Sequence, residues 1–296
     1  MFLQQVLNGL SLGAIYALIA LGYTMVYGTL QLINFAHGEV YMMGAFAALY
    51  LARWTGVAET PTVGGALVIL VATMAFCATL GIVIERMAYR PLRRASRLNM
   101  LITALGVSLL LRNVALLMFG ALQNFPSLLP AKSWTVAGVG VRSNDLLTLG
   151  VTLVLMLGLT WLVERTQVGR AMRAVSHSRE SAALMGIPVD RIVMLTFAIG
   201  SVLAGAAAVL VANDKHTIRP EMGMTGGMKA FVAAVLGGIG NIPGAVAGGL
   251  LLGLAETFVS GYLASTYRDA IAFLLLIAVL LTRPAGLFGT HTVEKV

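Results

Sequence analysis

Cysteine is almost missing from this chain, and so is charge. A single cysteine, Cys77, stands among 296 residues. That excludes an intrachain disulfide, and nothing in the sequence marks a metal site. Inside an apolar run, a lone thiol reads as a small buried hydrophobe. Charged residues make up only 11% of the sequence, against about 25% in soluble domains. A soluble domain of this length would then have too little polar surface to stay dissolved. The motif G-x-x-x-x-G-K-[ST] is absent as well, since Lys132-Ser133 follows Ala131 rather than glycine. Without that phosphate-cradling loop, any ATP hydrolysis must come from another polypeptide. Finally, MFLQQVLNGL contains no Lys or Arg, and the first basic residue is Arg53. With no positive n-region, the first apolar segment reads as a retained span rather than a cleaved signal.

Apolar residues fill the chain instead. They make up 58% of it, and the mean hydropathy is +0.89. Segments near the roughly 20-residue length of a membrane helix occur at about 5–27, 34–52, 62–85, 98–119, 145–164, 190–212, 227–240, 244–262 and 267–283. The expected fold is therefore an all-α polytopic membrane protein of about 8–9 segments, forming one transmembrane domain over residues 1–296. The segment at 34–52 is polar at its start, and that at 227–240 is short and runs into GGIGNIPG. Either is expected to be broken or re-entrant, an arrangement tolerated at membrane depth only where protein or a water-filled cavity surrounds it.

A net charge of +8 resembles a nucleic-acid signal until its placement is considered. Twelve of the twenty Lys and Arg fall in two loops and the C-terminal tail. The first loop has Arg86, Arg90, Arg93, Arg94 and Arg97; the second has Arg165, Arg170, Arg173, Arg179 and Arg191; the tail has Arg283 and Lys295. Lys and Arg mark cytoplasmic loops. Counting crossings from there places the N-terminus outside and the C-terminus in the cytoplasm. No nucleic-acid partner is needed to explain the charge. Small residues recur four apart, at Gly9, Gly13 and Ala17 and again at Gly240, Gly244 and Gly248, a spacing that lets helices approach closely in lipid.

Polar groups inside apolar segments mark candidate pathway residues, because ionisable side chains are costly there. Asn34, His37 and Glu39 cluster at the start of the second segment, and Asn34 is placed to cap a helix beginning near Phe35. Gly240 and Asn241 interrupt the backbone in GGIGNIPG, and Glu256 sits within the eighth segment. Glu39 with Lys229 and Arg112 with Glu256 are conceivable ion pairs. The alternative for all these groups is pairing near the membrane edges to stabilise assembly.

The loop at about 165–191 has a different logic. Within GRAMRAVSHSRESAALMGIPVDR, Ser178 suits an N-cap and Glu180 the first turn of a short helix. Gly186 suits the left-handed position after its last turn, and Pro188 bars continuation. So short a helix is marginal alone and needs a partner surface; otherwise it is a solvated linker at the bilayer surface. Glu180, Ser181, Ala182 and Gly186 resemble the E-A-A-x-x-x-G core by which ABC importer permeases dock a cytoplasmic helix into an ATPase. Ser181 replaces the first alanine, and the Ile-x-Leu-Pro continuation is missing from its usual place.

Residues 8–46, NGLSLGAIYALIALGYTMVYGTLQLINFAHGEVYMMGAF, closely resemble the N-terminal signature of the H-type permease subunit of branched-chain amino-acid ABC importers. The similarity continues through GRAMRAVSHSRESAALMGIPVDR and FVAAVLGGIGNIPGAVAGGLLLGLAE to TRPAGLFG at 282–289. Permeases for urea, short amides and simple sugars belong to the same divergent branch, so an ABC permease for urea or short amides is the alternative reading of the substrate. The resemblance implies import of leucine, isoleucine or valine across a bacterial inner membrane. It also implies a second related permease, two P-loop ATPase subunits and an extracytoplasmic binding protein. ATP would then be used by the partner subunits, with no cofactor on this chain. Two other functions compete: a proton-coupled secondary transporter using His37, Glu39 and Glu256 as a relay, and a membrane assembly subunit with no pathway of its own.

Overall fold

The computed structural model describes residues 2–93, 95–130, 132–136 and 139–289. Arg94 and Lys295, counted above among the basic residues, lie outside the described residues. Among the described residues the chain forms α1 (Phe2–Leu30), α2 (His37–Trp54), α3 (Val63–Ile84), α4 (Arg97–Phe119), α5 (Ser143–Arg165), α6 (Gln167–His177), α7 (Arg179–Leu184), α8 (Val189–Lys215), α9 (Met222–Gly237), α10 (Ile242–Tyr262) and α11 (Arg268–Thr282). Two small antiparallel ribbons accompany them. One joins β1 (Gln123–Asn124) to β4 (Thr217–Ile218) and the other joins β2 (Ser133–Val136) to β3 (Val139–Arg142). The protein is thus a multi-pass helical membrane protein. Among the described residues, seven helical stretches are long and apolar enough to cross a bilayer, namely α1, α3 with its extension to Leu92, α4, α5, α8, α10 and α11 with its preceding turn.

The two weak segments are the two exceptions. α2 has 18 residues and carries a His, a Glu and an Arg; α9 has 16. Their N-termini meet, and a Cβ added to Gly227 of α9 would stand 3.0 Å from the Gly38 Cα of α2. α2 starts well inside the bundle, because His37 packs against Gly22, eight residues or about 12 Å before the end of α1. Both helices begin later or earlier than the apolar pattern alone suggested. α2 starts at His37 rather than near Phe35, and α9 starts at Met222 rather than at 227. Asn34 is not the helix cap: its Oδ1 accepts from the Ala36 backbone N–H at 3.1 Å and closes a turn ahead of α2.

α1 and α8 form the buried axis, with 89% and 72% of their apolar windows inside the fold, whereas α4, α5 and α11 face outward with 17%, 17% and 6%. Small residues set this packing. A Cβ on Gly13 would lie 2.7 Å from the Leu250 Cα, and one on Gly249 would lie 2.6 Å from the Ala17 nitrogen. The stripe on α1 therefore meets a second stripe on α10, backbone against backbone. Gly244 and Gly248 use a different face of α10 and pack against Gly237 and Ala233 of α9.

Polar caps start several helices where the sequence demands it. Thr62, Ser96, Thr166, Ser178 and Asn241 each accept from a backbone N–H in the first turn of the following helix. Pro91 removes one donor just past α3, and the chain widens there into a π turn at Glu85–Tyr89 before a short 3₁₀ turn at Arg90–Leu92.

Candidate functional site

A cavity of about 860 Å³ opens between α1, α5, α8, α9, α10 and the start of α11. Its apolar wall is supplied by Leu12, Ile15 and Ile19 of α1. Opposite stand charged groups of both signs. Glu256, fully buried on α10, is held from three directions. Tyr16 donates its hydroxyl at 2.9 Å, Arg268 donates Nε at 2.7 Å, and Lys229 Nζ sits 3.0 and 3.1 Å from the two carboxylate oxygens. Lys229 also reaches Asp269 at 2.7 Å. Two acids and two bases thus form a neutral cluster that ties α9, α10 and α11 together, and Tyr16 joins α1 to it. Such compensation is what a buried carboxylate needs, since a lone buried charge costs several kcal/mol. The pairs conceived from sequence are not the ones formed. Lys229 pairs with Glu256 instead of Glu39, and Arg112 lies 3.9 Å from Glu221 instead of beside Glu256. Proximity between segments this far apart in the chain leaves no trace in sequence pattern.

At the rim of the cavity Arg142 makes ion pairs with Asp145 at 2.9 Å and Asp214 at 3.2 Å. Its guanidinium is held above its ordinary pKa chiefly by the hydrogen bonds to Asp145. Lys215 and Arg219 also line the cavity.

The other sequence candidates lie elsewhere. Asn34, His37 and Glu39 are all buried around the break between α1 and α2. Asn34 accepts the Tyr89 hydroxyl at 2.6 Å. The His37 ring meets Tyr23 edge-on with centroids 4.8 Å apart. Glu39 accepts from Ser108 Oγ at 3.2 Å and lies against Gly223, where any side chain would collide with it. Among the described residues, His37 Nε2 and Glu39 Oε2 have no hydrogen-bond partner. Gly240 and Asn241 form the turn between α9 and α10. Gly240 has φ +95°, and Asn241 caps α10 through the Gly244 N–H at 2.9 Å. Asn241 Nδ2 also donates to the Phe288 carbonyl at 2.9 Å, so this turn holds the segment around Gly289. None of the six candidate pathway residues lines the cavity itself; Glu256, fully buried, stands behind it as the partner of Tyr16, Lys229 and Arg268, which do. Tyr16, Arg268 and Asp269 were missed. Arg268-Asp269 heading an apolar run was a usable signal, whereas a tyrosine inside one was not.

The opposite face carries α6 and α7. Ser178 caps α7 by accepting from the Ser181 N–H at 3.2 Å. Gly186 closes it at φ +79°, with hydrogen bonds from Gly186 and Ile187 back to Ala183 and Ala182, each 3.0 Å. Ala182 is buried, while Glu180, Ser181 and Gly186 are exposed. Leu184 and Met185 are 89% and 83% exposed, an apolar tip pointing away from the protein. α6 precedes it as a separate amphipathic helix burying Met172 and Val175; the sequence reading gave this loop only the shorter helix.

A multi-pass helical protein with a mixed-charge cavity on one face and a capped helix projecting from the other has the form of a membrane permease. Residues 5–280 match the family described as "Branched-chain amino acid transport system / permease component", and the chain belongs to that family. It is 46% identical over 303 residues to the high-affinity branched-chain amino acid transport system permease protein BraD of Pseudomonas aeruginosa, which covers 100% of this chain and 98% of that protein. It is 45% identical over 303 residues to the corresponding permease protein LivH of Escherichia coli K12, with the same coverage. The probable branched-chain amino acid transport permease protein LivH of Methanocaldococcus jannaschii is 29% identical over 285 residues, 92% of this chain and 88% of that one.

Proposed function

We propose that this chain is the membrane-spanning permease subunit of an ATP-driven importer of leucine, isoleucine and valine in a bacterial inner membrane. Full-length similarity to BraD and LivH, at 46% and 45% identity, carries the reading. In this reading the cavity opens to the outside and α6–α7 faces the cytoplasm, as the basic loops predict. An extracytoplasmic binding protein delivers the solute, a second related permease completes the path, and two P-loop ATPases supply the energy. ATP is bound and used by those partners, and this chain carries no cofactor.

The cavity suits the solute class. Its paired charges present both a carboxylate partner and an ammonium partner, and Leu12, Ile15 and Ile19 give its α1 wall an aliphatic patch among Gln5, Asn8 and Ser11. A zwitterion with a branched apolar side chain uses both features, while neutral urea uses neither. Movement past the bundle requires the cluster of Tyr16, Glu256, Lys229, Arg268 and Asp269 to rearrange, because it joins four helices beside the cavity. On the other side, the exposed Leu184–Met185 tip of α7 inserts into the ATPase, with Glu180 and Ser181 at its rim.

Uptake of radiolabelled leucine into proteoliposomes, with the co-purified subunits and internal ATP, tests this. Expected is ATP-dependent uptake competed by isoleucine and valine and untouched by urea. Uptake that follows a proton gradient with ATP absent would overturn it, as would competition by urea alone.

A further inference from the structure

The segment joining α1 to α2 is irregular. Gln31 adopts a left-handed φ of 54°, unusual for a residue with a side chain. Between Gln31 and Ala36 no helix holds the chain. Its shape depends on side chains that arrive from elsewhere, and two routes lead to it from the α6–α8 loop.

The first is direct. Arg179, the opening residue of α7, donates Nη2 to the Leu30 carbonyl at 2.6 Å. That carbonyl belongs to the last turn of α1, where intrahelical partners run out and a cation is favoured. The second route is longer. Asp190, at the start of α8 just after the α7 turn, binds Arg90 at 2.8 Å and also binds Arg93. Arg93 in turn holds the buried Glu85. Glu85 and Tyr89 are the two ends of the π turn, and both are 1% exposed. Tyr89 then donates its hydroxyl to Asn34 at 2.6 Å, and Asn34 closes the turn that leads into α2. π turns are rare and recur at functional positions.

We propose that motion at α7 reaches the α1–α2 break through these two tethers, which makes Arg179, Asp190, Tyr89 and Asn34 positioning residues for transport. The proposal rests on the reading that α7 receives an ATPase. It requires no contact between these residues and the solute. Pushing α7 pulls on the end of α1 through Arg179, and shifting the start of α8 pulls on the π turn and hence on Asn34. Both displacements act on the stretch that fixes where His37 and Glu39 stand.

The test separates transport from hydrolysis. Complexes of the full chain with its co-purified subunits are reconstituted, and leucine uptake and ATP hydrolysis are measured on the same preparation. Tyr89→Phe removes one hydroxyl, Arg179→Gln removes the guanidinium, and Asp190→Asn repeats the test outside the membrane interior. The expected result is unchanged assembly and hydrolysis with uptake per ATP reduced, by about tenfold in the Tyr89→Phe/Arg179→Gln pair, as befits two lost hydrogen bonds. Tyr89→Phe should add little to Asn34→Ala, because Asn34→Ala already removes the Tyr89 bond along with the one from the Ala36 N–H. An assembled double variant with uptake per ATP within about twofold of the parent overturns the proposal. Equal loss of assembly, hydrolysis and uptake in all three single variants also overturns it, by showing these residues to be structural only. A parent chain that retains no ATPase under conditions that preserve a control complex overturns the docking reading itself.

Discussion

Glu256 shows what a single residue must satisfy to be buried with charge inside a membrane protein. Its carboxylate meets Tyr16, Lys229 and Arg268 within hydrogen-bond distance, and Asp269 balances the second base. Removing Lys229 leaves Arg268 alone against two acids, one of them fully buried, and that uncompensated charge destabilises the fold. Lys229→Met should therefore lower the thermal midpoint of the purified chain clearly, whereas Lys229→Met combined with Glu256→Gln should recover part of that loss. Thermal unfolding in mild detergent checks both, and equal midpoints for the single and double variants would contradict the pairing. At this scale the sequence was only partly legible. The cost of Glu256 in an apolar segment singled it out as a residue that needs partners. Its partners come from positions 16, 229, 268 and 269, and spacing along the chain carries no information about which distant groups meet. Asn34 shows the same limit: a residue type suited to capping serves instead as the acceptor for Tyr89.

At the scale of the element, α7 carries the sharpest expectations. Six residues are too few to stay helical unaided, so the Ser178 cap and the Gly186 turn have to define it. These punctuation marks are local chemistry, and they were readable from SHSRESAALMGIP alone. α6 was not, because its apolar positions look like an ordinary basic loop until they are wound at helical spacing. Gly186→Val should strain the left-handed turn and lower ATPase co-purification while leaving insertion intact. Leu184→Ser with Met185→Ser should do the same by removing the exposed tip, with about a tenfold loss of bound ATPase and no loss of chain in the membrane. Quantifying ATPase against chain after gentle purification distinguishes these outcomes. Undiminished co-purification in both variants would remove α7 from the docking surface. The α1–α10 contact makes a separate prediction. Gly13→Val places bulk 2.7 Å from the Leu250 backbone, so the helices must part and the folded yield should fall. A normal yield and midpoint would show that this contact can open at little cost.

For the whole molecule, periodicity and charge placement were enough to indicate a polytopic helical protein, because each span must be apolar over a fixed length. They did not show that α2 and α9 start inside the bundle with their N-termini in contact, since that depends on glycines whose neighbours are distant in sequence. Nor did they show a cavity, which is a property of how helices diverge. The cavity on one face, the charged cluster bounding it and the capped helix on the other face are the features on which the proposed import, loaded from outside and driven from inside, rests. Because the chain's one cysteine is buried, a new thiol in the cavity can be addressed selectively. Thr225 lines the cavity, is exposed, and hydrogen-bonds only within its own turn. The most direct measurement is ATP-driven leucine uptake by the reconstituted complex carrying Thr225→Cys, before and after labelling from outside with a bulky membrane-impermeant thiol reagent. The parent complex, treated identically, serves as the control. The account predicts complete labelling, slowed by leucine, and at least about a tenfold loss of uptake confined to the variant. A fully labelled variant that imports leucine at its unlabelled rate would contradict passage through this cavity.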